Sequence, residues 1–565
     1  MKQLRWQILV VLVTLVIVAV LLFGQQSQQT TGGPIVSQPE QGGVYTEGLV
    51  GSLGRLNPLL DWNNSADRSV NRLLFSGLVR FDERGLPRAD LAEAWGVAQD
   101  GTIYNFSIRP NAVWHDGAPV TSDDVIFTIE MMKSAGSLAP QDIKDLWGRI
   151  EVEKLNDKTL KFTLPEPYVP FMDYLTFGVL PKHLLESIPP EQMASADFNL
   201  SPVGAGPYQF DHLIVEGGQI TGVVLTINRN YYGSAPFIEQ VVFRFYPTSA
   251  DALDAYRQGD VLSVSQITPD VLYPALEEPN LSVYTSQLPQ MSFVFFNLNN
   301  PETAFLQNST VRRALMLGLN RSYIINTFLQ GQAIPANSPI MPSSWAYYDG
   351  TEHFEHNPEE AVNMLKAEGY VIPAGGGEVR AKDGVPMVFT MLHPDDALHT
   401  QIAQAIQTQW ARIGVRVDLQ AMPYDQLVLD SLASRAFQSA LVDLNLSRTP
   451  DPDPYPFWHQ AEATGGQNYS QWDHRAASEY LEQARVTADF SLRARLYRNF
   501  QVIFAKELPA LPLFVPVYSY GVDSQVQGVQ VAPLYDPSDR LATITQWFLL
   551  TRRALQQEET ATPLP

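Results

Sequence analysis

The sequence contains no cysteine among its 565 residues. This absence excludes disulfide bonds, thiolate metal sites, a cysteine nucleophile and a lipid-modified N-terminal cysteine. Basic residues are also few, since 38 Lys and Arg stand against 60 Asp and Glu and leave a formal net charge of −22. Nucleic-acid phosphates would repel such a chain, and no basic stripe offsets the charge. We therefore predict no nucleic-acid partner and interpret the acidity as a source of solubility.

Catalytic and nucleotide-binding signatures are missing as well. The sequence has no G-x-x-x-x-G-K-[ST] loop, no HExxH motif and no G-x-S-x-G elbow, which argues against an ATPase and against two common hydrolase types. His353 and His356 lie three apart in a polar segment, where solvated histidines are commoner than metal ligands. Asp451 and Asp453 alternate with prolines but lack the glycine and distal glutamate of a calcium loop. We predict a binding protein rather than an enzyme, with no metal and no cofactor.

One long apolar run is present, from Ile8 to Phe23, and only Thr14 interrupts it. Lys2 and Arg5 precede the run, so the bulk of the chain should face outward from the cytoplasm. Both a cleaved signal peptide and an uncleaved signal anchor fit this pattern. Residues 23–27 contain no clear small-x-small cleavage site, which favours the anchor.

The two ends of the chain are predicted to lie outside the folded body. We expect a membrane anchor or signal segment at 1–24, a flexible linker rich in Gln, Gly, Ser and Thr at 25–42, and a disordered polar tail at 551–565. The protein is then extracytoplasmic, periplasmic or at the cell surface, and either tethered to the cytoplasmic membrane or secreted. Between the ends, a hydrophobic content of 45% is globular, and the length allows more than one core.

Residues 103–132 carry the clearest local pattern. Apolar residues alternate with polar ones, as on one face of a strand: Tyr104, Phe106 and Ile108. Gly117 suits a turn that needs positive φ, and His115 beside it is predicted to be structural. Thr121 and Asp124 form a capping box at the start of a helix.

A second local pattern predicts a βαβ unit. Pro386–Leu392 reads as a buried strand, Ala397–Ile413 as a helix ended by Gly414, and Val415–Ala421 as the next strand. Such a unit places its two strands parallel in one sheet. Further helices are predicted from Ser309 and within 476–505. The chain is therefore predicted to be an α/β protein.

Several different short motifs follow one another along the body of the chain. They are Asn57-Pro58-Leu59, Asn71-Arg72-Leu73-Leu74-Phe75-Ser76-Gly77-Leu78, Leu91-Ala92-Glu93-Ala94-Trp95, Trp114-His115-Asp116-Gly117, Asp123-Asp124-Val125, Gly204-Ala205-Gly206-Pro207-Tyr208, Val311-Arg312-Arg313-Ala314-Leu315, Pro450-Asp451-Pro452-Asp453 and Pro509-Ala510-Leu511-Pro512-Leu513. One such motif is weak, but the ordered series covers nearly all of the body. The series closely resembles the family 5 extracellular solute-binding proteins, the oligopeptide- and dipeptide-type receptors of ABC importers.

The resemblance implies a two-lobed periplasmic-binding-protein fold of type II, in its large peptide-binding class, with mixed sheets and a hinged interlobe cleft. By analogy, lobe I comprises 43–288 and 509–550, and lobe II comprises 289–508. The apolar runs Met291–Asn297 and Leu511–Val522 are expected to be the two crossings between lobes. Ligands of such proteins lie in the cleft and are enclosed by hinge closure.

The resemblance also points to one unusual position. In peptide-binding relatives, a carboxylate two residues before the first proline of the PDP turn pairs with the α-amino group of the ligand, and here that position is Arg448. A guanidinium suits a carboxylate, a phosphate or a hydroxyl-rich face rather than an ammonium group. Alternatively, Arg448 points outward or pairs with Asp451 or Asp453. Oligosaccharides, opines and metal chelates therefore stay open beside peptides.

The other predicted wall residues of the cleft carry flat aromatic or amide side chains, which suit peptides and sugars alike. They are Trp62, Asn63, Trp147, Asn445, Trp458, Asn468, Tyr469 and Tyr520. Ordinary packing is the alternative role of each one.

Together these observations predict a monomeric substrate-binding protein that captures a peptide or related small polar solute and delivers it to ABC permease subunits. A tethered ligand sensor with the same fold is the alternative. A secreted hydrolase fits less well, because it requires a nucleophile with a base or a metal cluster.

Overall fold

The protein is described by a computed structural model that covers residues 40–550 except 448 and 449. The predicted anchor at 1–24, nearly all of the predicted linker, the predicted tail at 551–565 and Arg448 lie outside the described residues. Within the described part of the chain, no helix has the length and apolar character needed to cross a bilayer.

The strands are distributed along the whole described body. They are β1 Val44–Val50, β2 Val79–Phe81, β3 Pro87–Ala89, β4 Ala92–Val97, β5 Ile103–Ile108, β6 Glu151–Asn156, β7 Thr159–Thr163, β8 Tyr208–Glu216, β9 Gln219–Ile227, β10 Gln240–Tyr246, β11 Ser263–Val264, β12 Leu281–Gln287, β13 Gln290–Phe296, β14 Ala333–Pro335, β15 Ala381–Lys382, β16 Val385–Pro386, β17 Val388–Pro394, β18 Arg416–Met422, β19 Ser439–Asn445, β20 Ala510–Asp523, β21 Val526–Gln527 and β22 Phe548–Leu549.

Helices alternate with these strands. They are α1 Ser65–Leu74, α2 Ser122–Lys133, α3 Gln141–Arg149, α4 Lys182–Leu185, α5 Ser249–Gln258, α6 Pro269–Leu276, α7 Ser309–Leu317, α8 Arg321–Phe328, α9 Pro358–Ala367, α10 Ala397–Arg412, α11 Tyr424–Gln426, α12 Tyr455–Trp458, α13 Arg475–Val486 and α14 Phe490–Glu507. A π turn at Leu427–Leu432 follows α11, and 3-10 helices include Val169–Leu175 and Pro537–Leu541.

The local predictions for 103–132 are confirmed. β5 buries Tyr104, Phe106 and Ile108 and turns the residues between them outward. Gly117 has φ +89°, which a residue with a Cβ rarely adopts. At the start of α2, the Asp124 carboxylate accepts a hydrogen bond from the Thr121 N–H at 2.7 Å.

The predicted βαβ unit is also confirmed. β17 and β18 are parallel, with Val388 opposite Arg416, and α10 connects them. Gly414 follows the helix at φ +84°. The predicted strand boundaries shift by two residues at β17, since short apolar runs locate a strand better than they locate its ends.

Two large clusters of buried apolar side chains lie in different parts of the chain. One, here called the first core, draws on residues between Tyr45 and Phe243 and on Tyr518–Trp547. The other, called the second core, draws on residues between Met291 and Val515. A small third cluster packs α5 and α6 against β11 and β12.

A single large sheet runs through both cores in the order β18-β17-β19-β13-β20-β11-β1-β10-β9-β8, with β12 and β14 also paired to β20. β20 is the element common to both halves. Its first part pairs with β13, where Phe295 lies opposite Ala510, and its last part pairs with β12, where Leu281 lies opposite Asp523.

The chain crosses between the cores twice, side by side. β20 makes one crossing near Pro516, and the β12–β13 connection makes the other at Leu288, whose N–H donates to the Pro516 carbonyl at 2.9 Å. The run predicted as a crossing at Met291–Asn297 therefore lies just beyond the crossing, in β13 within the second core. Pro289 and Pro516 remove backbone donors where the ladder changes partners.

Candidate functional site

The carboxyl ends of the parallel strands in the first core point at the crossing. β11 is antiparallel to β20, so moving from Ser263 to Val264 moves from Val522 to Gly521 and towards Pro516. β1 is parallel to β11, and β10 is parallel to β1. The segments that follow β1 and β11 therefore emerge beside the crossing.

The second core presents its strand ends to the crossing from the other side. β19 is antiparallel to β13, with Asn445 at its end opposite Gln290 at the start of β13. β17 is parallel to β19 and to β18, so Pro394 and Met422 end at the same edge. In open α/β sheets, ligands bind outside the carboxyl ends of strands. We call the space between these two sets of strand ends the cleft.

Asp451 and Asp453, which follow β19 in the chain, are anchored to the second core. The Asp451 carboxylate accepts hydrogen bonds from both Nη atoms of Arg493, at 2.6 and 2.9 Å. Asp453 pairs with Arg485 at 2.7 Å. Burial has the largest effect on the pKa of the Asp453 carboxyl and raises it, although Arg485 acts to lower it. Two charge-assisted pairs thus hold the turn rigid.

This segment also contacts the first core. The Asp451 N–H donates to Asp173 Oδ2 at 2.9 Å, and Asp173 lies in the 3-10 helix Val169–Leu175. The Arg485 guanidinium lies 5.6 Å from the ring centroid of Tyr168, just before that helix. The two cores therefore meet across the cleft at a point separate from the crossing strands.

A polar group lies at the edge of the second core beside the crossing. Asp443 of β19 accepts hydrogen bonds from Gln290 Nε2 at 2.6 Å and from the Ser292 hydroxyl. His399 Nε2 lies 3.2 Å from the same carboxylate, and its Nδ1 lies 2.6 Å from Asp396. Burial lowers the pKa of His399, but the hydrogen bonds and charges of the two carboxylates outweigh burial and raise this pKa above its ordinary value.

A cavity of ≈ 350 Å³ lies along the crossing strands. Its lining comes from both sides of the crossing: Thr285, Ser286, Gln287, Val517, Val531 and Pro533, with Ile334 and Ser343. Gln287 Oε1 accepts a hydrogen bond from the Ser343 N–H at 3.0 Å. The size suits a small solute or a few residues of a peptide.

A larger cavity of ≈ 570 Å³ lies at the other end of the first core's sheet. Val44 and Gln240, the first residues of β1 and β10, line it together with Asn228–Asn230. It therefore opens at the amino ends of the parallel strands and belongs to one core alone. Position and lining both favour the cleft as the ligand site.

Three predicted wall residues lie at accessible positions. Trp62 and Asn63 are in the segment that follows β1, and Trp62 is half-buried, with its Nε1–H donating to the Leu59 carbonyl at 2.9 Å. Asn445 is exposed at the end of β19, where its Oδ1 accepts a hydrogen bond from the Ser447 N–H. These positions follow strand ends that face the cleft.

The structure places the other predicted aromatic residues inside the cores. Trp147 is 1% exposed in the first core, where it packs edge-on against Phe171 and Phe177 and tilted against Phe162. Trp458 is 1% exposed and stacks on Phe295. Large rings bury the most apolar area, so they fill cores as readily as they line clefts.

The remaining predicted residues are also buried and engaged with the protein. Asn468 donates hydrogen bonds to the carbonyls of His459 and Trp472. Tyr469 packs edge-on against Phe295. Tyr520 donates to Glu47 in the first core at 2.8 Å. In these positions their groups support neighbouring chain segments.

Asp443, His399 and Asp173 were not among the predicted site residues. The sequence does mark two of them, because each is a single carboxylate within an apolar run. Asp443 lies in SALVDLN and Asp173 in VPFMDYL. An acidic residue at such a place has to meet a partner or lose its charge. Which partner it meets depends on contacts distant in sequence.

Two cores joined by a double crossing, with strand ends facing a shared cleft, define a two-lobed binding protein. The sequence matches the bacterial extracellular solute-binding proteins, family 5 Middle, over residues 87–467. The chain therefore belongs to this family. The predicted fold class and the predicted solute-binding function are confirmed.

Curated relatives match almost the whole chain. The oligopeptide-binding protein AppA of Bacillus subtilis (strain 168) is 26% identical over 556 residues, which cover 96% of this chain and 98% of that protein. The dipeptide-binding protein of Escherichia coli (strain K12) is 25% identical over 515 residues, covering 86% and 91%.

Solved structures show the same fold. AppA from Bacillus subtilis in complex with a nonapeptide superposes with a TM-score of 0.68 at 24% identity, covering 91% of this chain and all of that one, 100%. HbpA2 from Haemophilus parasuis superposes with a TM-score of 0.78 at 21% identity, covering 90% and 100%.

Proposed function

We propose that the protein captures a peptide or a related small polar solute in the cleft and delivers it to the permease of an ABC importer. The observation that carries this proposal is the convergence of strand carboxyl ends from two cores on one double crossing. The names of the relatives, an oligopeptide-binding and a dipeptide-binding protein, support the class of solute.

Capture depends on a change between open and closed forms. A solute that contacts both cores favours the closed form by its difference in affinity for the two forms. The paired crossings at Leu288 and Pro516 are the hinge in this proposal, because few chain segments have to bend there. The permease recognises the closed shape, and no bond of the solute is altered.

The lobe boundaries follow from the same assignment. Lobe I is proposed to comprise 43–288 and 509–550, and lobe II to comprise 289–508. The separate cores support this division except at residues 509–515, whose buried side chains pack in the second core. The protein is further proposed to act as a monomer outside the cytoplasm, tethered by residues 1–24.

The first experiment identifies the solute. The protein should be purified without denaturation, and the compounds released on unfolding should be analysed by mass spectrometry. We expect peptides or small polar solutes enclosed during growth. Catalytic conversion of the released compound by the protein, or scattering that shows one rigid globule for every candidate solute, would contradict the proposal.

The second experiment concerns the solute's charge. Arg448→Asp places a carboxylate at the position where peptide-binding relatives hold the α-amino group. We expect the variant to shift its preference by about tenfold or more towards peptides with a free amino terminus over N-acetylated ones, because opposite charges attract in a closed cleft. Isothermal calorimetry with both peptide sets measures this preference, and the exposed Arg475→Asp serves as control. Unchanged selectivity would refute the role of Arg448.

A further inference from the structure

Asp173 holds an unusual position, since it is a carboxylate of the first core that contacts Asp451 of the second. It is 6% exposed. Its neighbours Phe171 and Leu175 are buried in the first core and fix the 3-10 helix there. Its Oδ2 accepts the Asp451 N–H at 2.9 Å. The contact therefore bridges the cleft at a point separate from the crossing strands.

The charges around this contact do not balance. Two carboxylates of the segment after β19, Asp451 and Asp453, face Asp173, while the nearest cation, Arg493, is already bound through both Nη atoms to Asp451. Arg485 is occupied by Asp453. Three carboxyl groups, two of them buried and the third, Asp453, partly buried, thus share two guanidinium groups.

The other groups near Asp173 carry no positive charge. Tyr174 on the same 3-10 helix and Tyr535 on the segment before Pro537–Leu541 are the phenols whose ionisation its charge opposes. Among residues 40–550 apart from 448 and 449, Asp173 forms no ion pair. Burial first, and the charge of Asp451 second, raise the pKa of Asp173 well above its ordinary value. These two influences outweigh the Asp451 N–H, which lowers this pKa, so burial in this contact favours the uncharged acid more than hydration does.

Opening of the cleft would separate the two sides of this contact. Asp451 would move with the second core, because Arg493 and Tyr497 bind its carboxylate. Asp173 would remain with the first core and become hydrated. A hydrated aspartate returns to a pKa of about 3.9 and loses its proton at neutral pH.

We propose that closure of the cleft takes up one proton at Asp173, so that acidification favours the closed, solute-holding form. This inference rests on the proposed function, since it assumes that the two cores open and close about the crossing. The sign follows from linkage: the form that binds more protons gains stability as pH falls. Between the ordinary and the raised pKa of Asp173, the closed-to-open ratio rises by up to about tenfold for each unit by which the pH falls. This is the limit for a single proton.

The absence of cysteine allows a direct test on the full chain. Leu138→Cys on the first core side and Val385→Cys on the second are exposed positions for a pair of spin labels. Electron–electron double resonance on the unliganded protein then measures the populations of long and short distances between pH 8 and pH 5. We expect the population of the short distance to grow as pH falls.

Two variants in the labelled background decide the origin of this change. Asp173→Asn keeps an amide oxygen to accept the Asp451 N–H but cannot titrate, so we expect its distance populations to be independent of pH. Asp197→Asn removes an exposed carboxylate from the same part of the chain and should retain the wild-type pH dependence.

Three outcomes overturn the proposal. If both the long and the short distance are present but their populations do not change with pH, proton uptake is refuted. Solute capture by hinge closure would not be contradicted by that result. The same pH dependence in Asp173→Asn as in wild type would assign it to another group, such as His399. A single distance at every pH, also after addition of a mixed peptide digest, would refute both the proton-linked contact and the proposed function.

Discussion

Two buried carboxylates in this molecule illustrate opposite solutions to the same electrostatic problem. Glu47 in the first core is 0% exposed and pairs with Arg540, which is 1% exposed. The hydroxyls of Tyr45 and Tyr520 donate to its other oxygen at 3.1 and 2.8 Å. Asp173, between the cores, has an N–H donor but no cation of its own.

The difference teaches which buried acids serve the fold and which can respond to the solvent. The cation that pairs with Glu47, Arg540, belongs to the same core. Glu47 also accepts a hydrogen bond from Tyr520 and so anchors β20 on the first-core side of the crossing. Its charge is compensated in every arrangement of the two cores. Asp173 is buried where the two cores meet, so the proposed opening would expose it and tie its protonation to their arrangement.

The largest expected effect comes from removing the cation of Glu47. Arg540→Met should lower the free energy of unfolding by about 3–5 kcal/mol, because a buried carboxylate is left without compensation. Urea unfolding followed by tryptophan fluorescence measures the change. The double variant Glu47→Gln, Arg540→Met is the control and should recover much of the loss. A loss under about 1 kcal/mol in the single variant would show that Glu47 is not held as a charge.

A smaller loss is expected where the ion pair lies beside the cleft. Arg493→Met should lower the free energy of unfolding by about 2–4 kcal/mol, since Asp451 keeps the Tyr497 hydroxyl and is 8% exposed, whereas Glu47 is 0% exposed. The same unfolding assay applies. Arg475→Met removes an exposed guanidinium from the neighbouring helix and should cost under about 0.5 kcal/mol. Equal losses in both variants would remove the distinction between buried and exposed pairs.

The smallest effect is expected at His399, where a titratable cation faces two carboxylates. Its pKa is raised in the folded chain, so its stabilisation is complete below the unfolded value of about 6.5 and is lost as pH rises through the folded value. We expect His399→Gln to lose less than about 1 kcal/mol at pH 6 and almost nothing at pH 9.

Melting temperatures from pH 5 to pH 9 measure the His399 effect. His212→Gln changes a histidine on the exposed side of β8 and should leave the shape of the pH profile as in wild type. A constant difference between His399→Gln and wild type at all pH values would contradict the role of imidazole ionisation.

Local sequence patterns predicted much of the fold correctly. The alternation in β5, the capping box at Thr121 and Asp124 and the βαβ unit around α10 depend on residues within a few positions of each other. The order of family motifs then supplied the two-lobed architecture. The position of one crossing was less well predicted, because the apolar run of β13 resembles any buried strand.

The candidate site was harder to predict than the fold. Trp62 and Trp147 are both tryptophans with polar neighbours in the sequence. Trp62 lies in a segment beside the cleft, whereas Trp147 is packed among phenylalanines. Aromatic rings gain free energy by burial in either place. Sequence alone could therefore select the residue types of a wall but not the members of that wall.

The sequence by itself determined the class of this protein: a cysteine-free α/β chain with the ordered motifs of a solute-binding family. These features depend on composition and on short-range patterns, which survive without knowledge of distant contacts. Only the tertiary structure decided that Asp173 meets Asp451 and that Glu47 meets Arg540. The residues of each pair are separated by hundreds of positions, and the ionisation of a buried acid is set by the neighbours that folding brings to it.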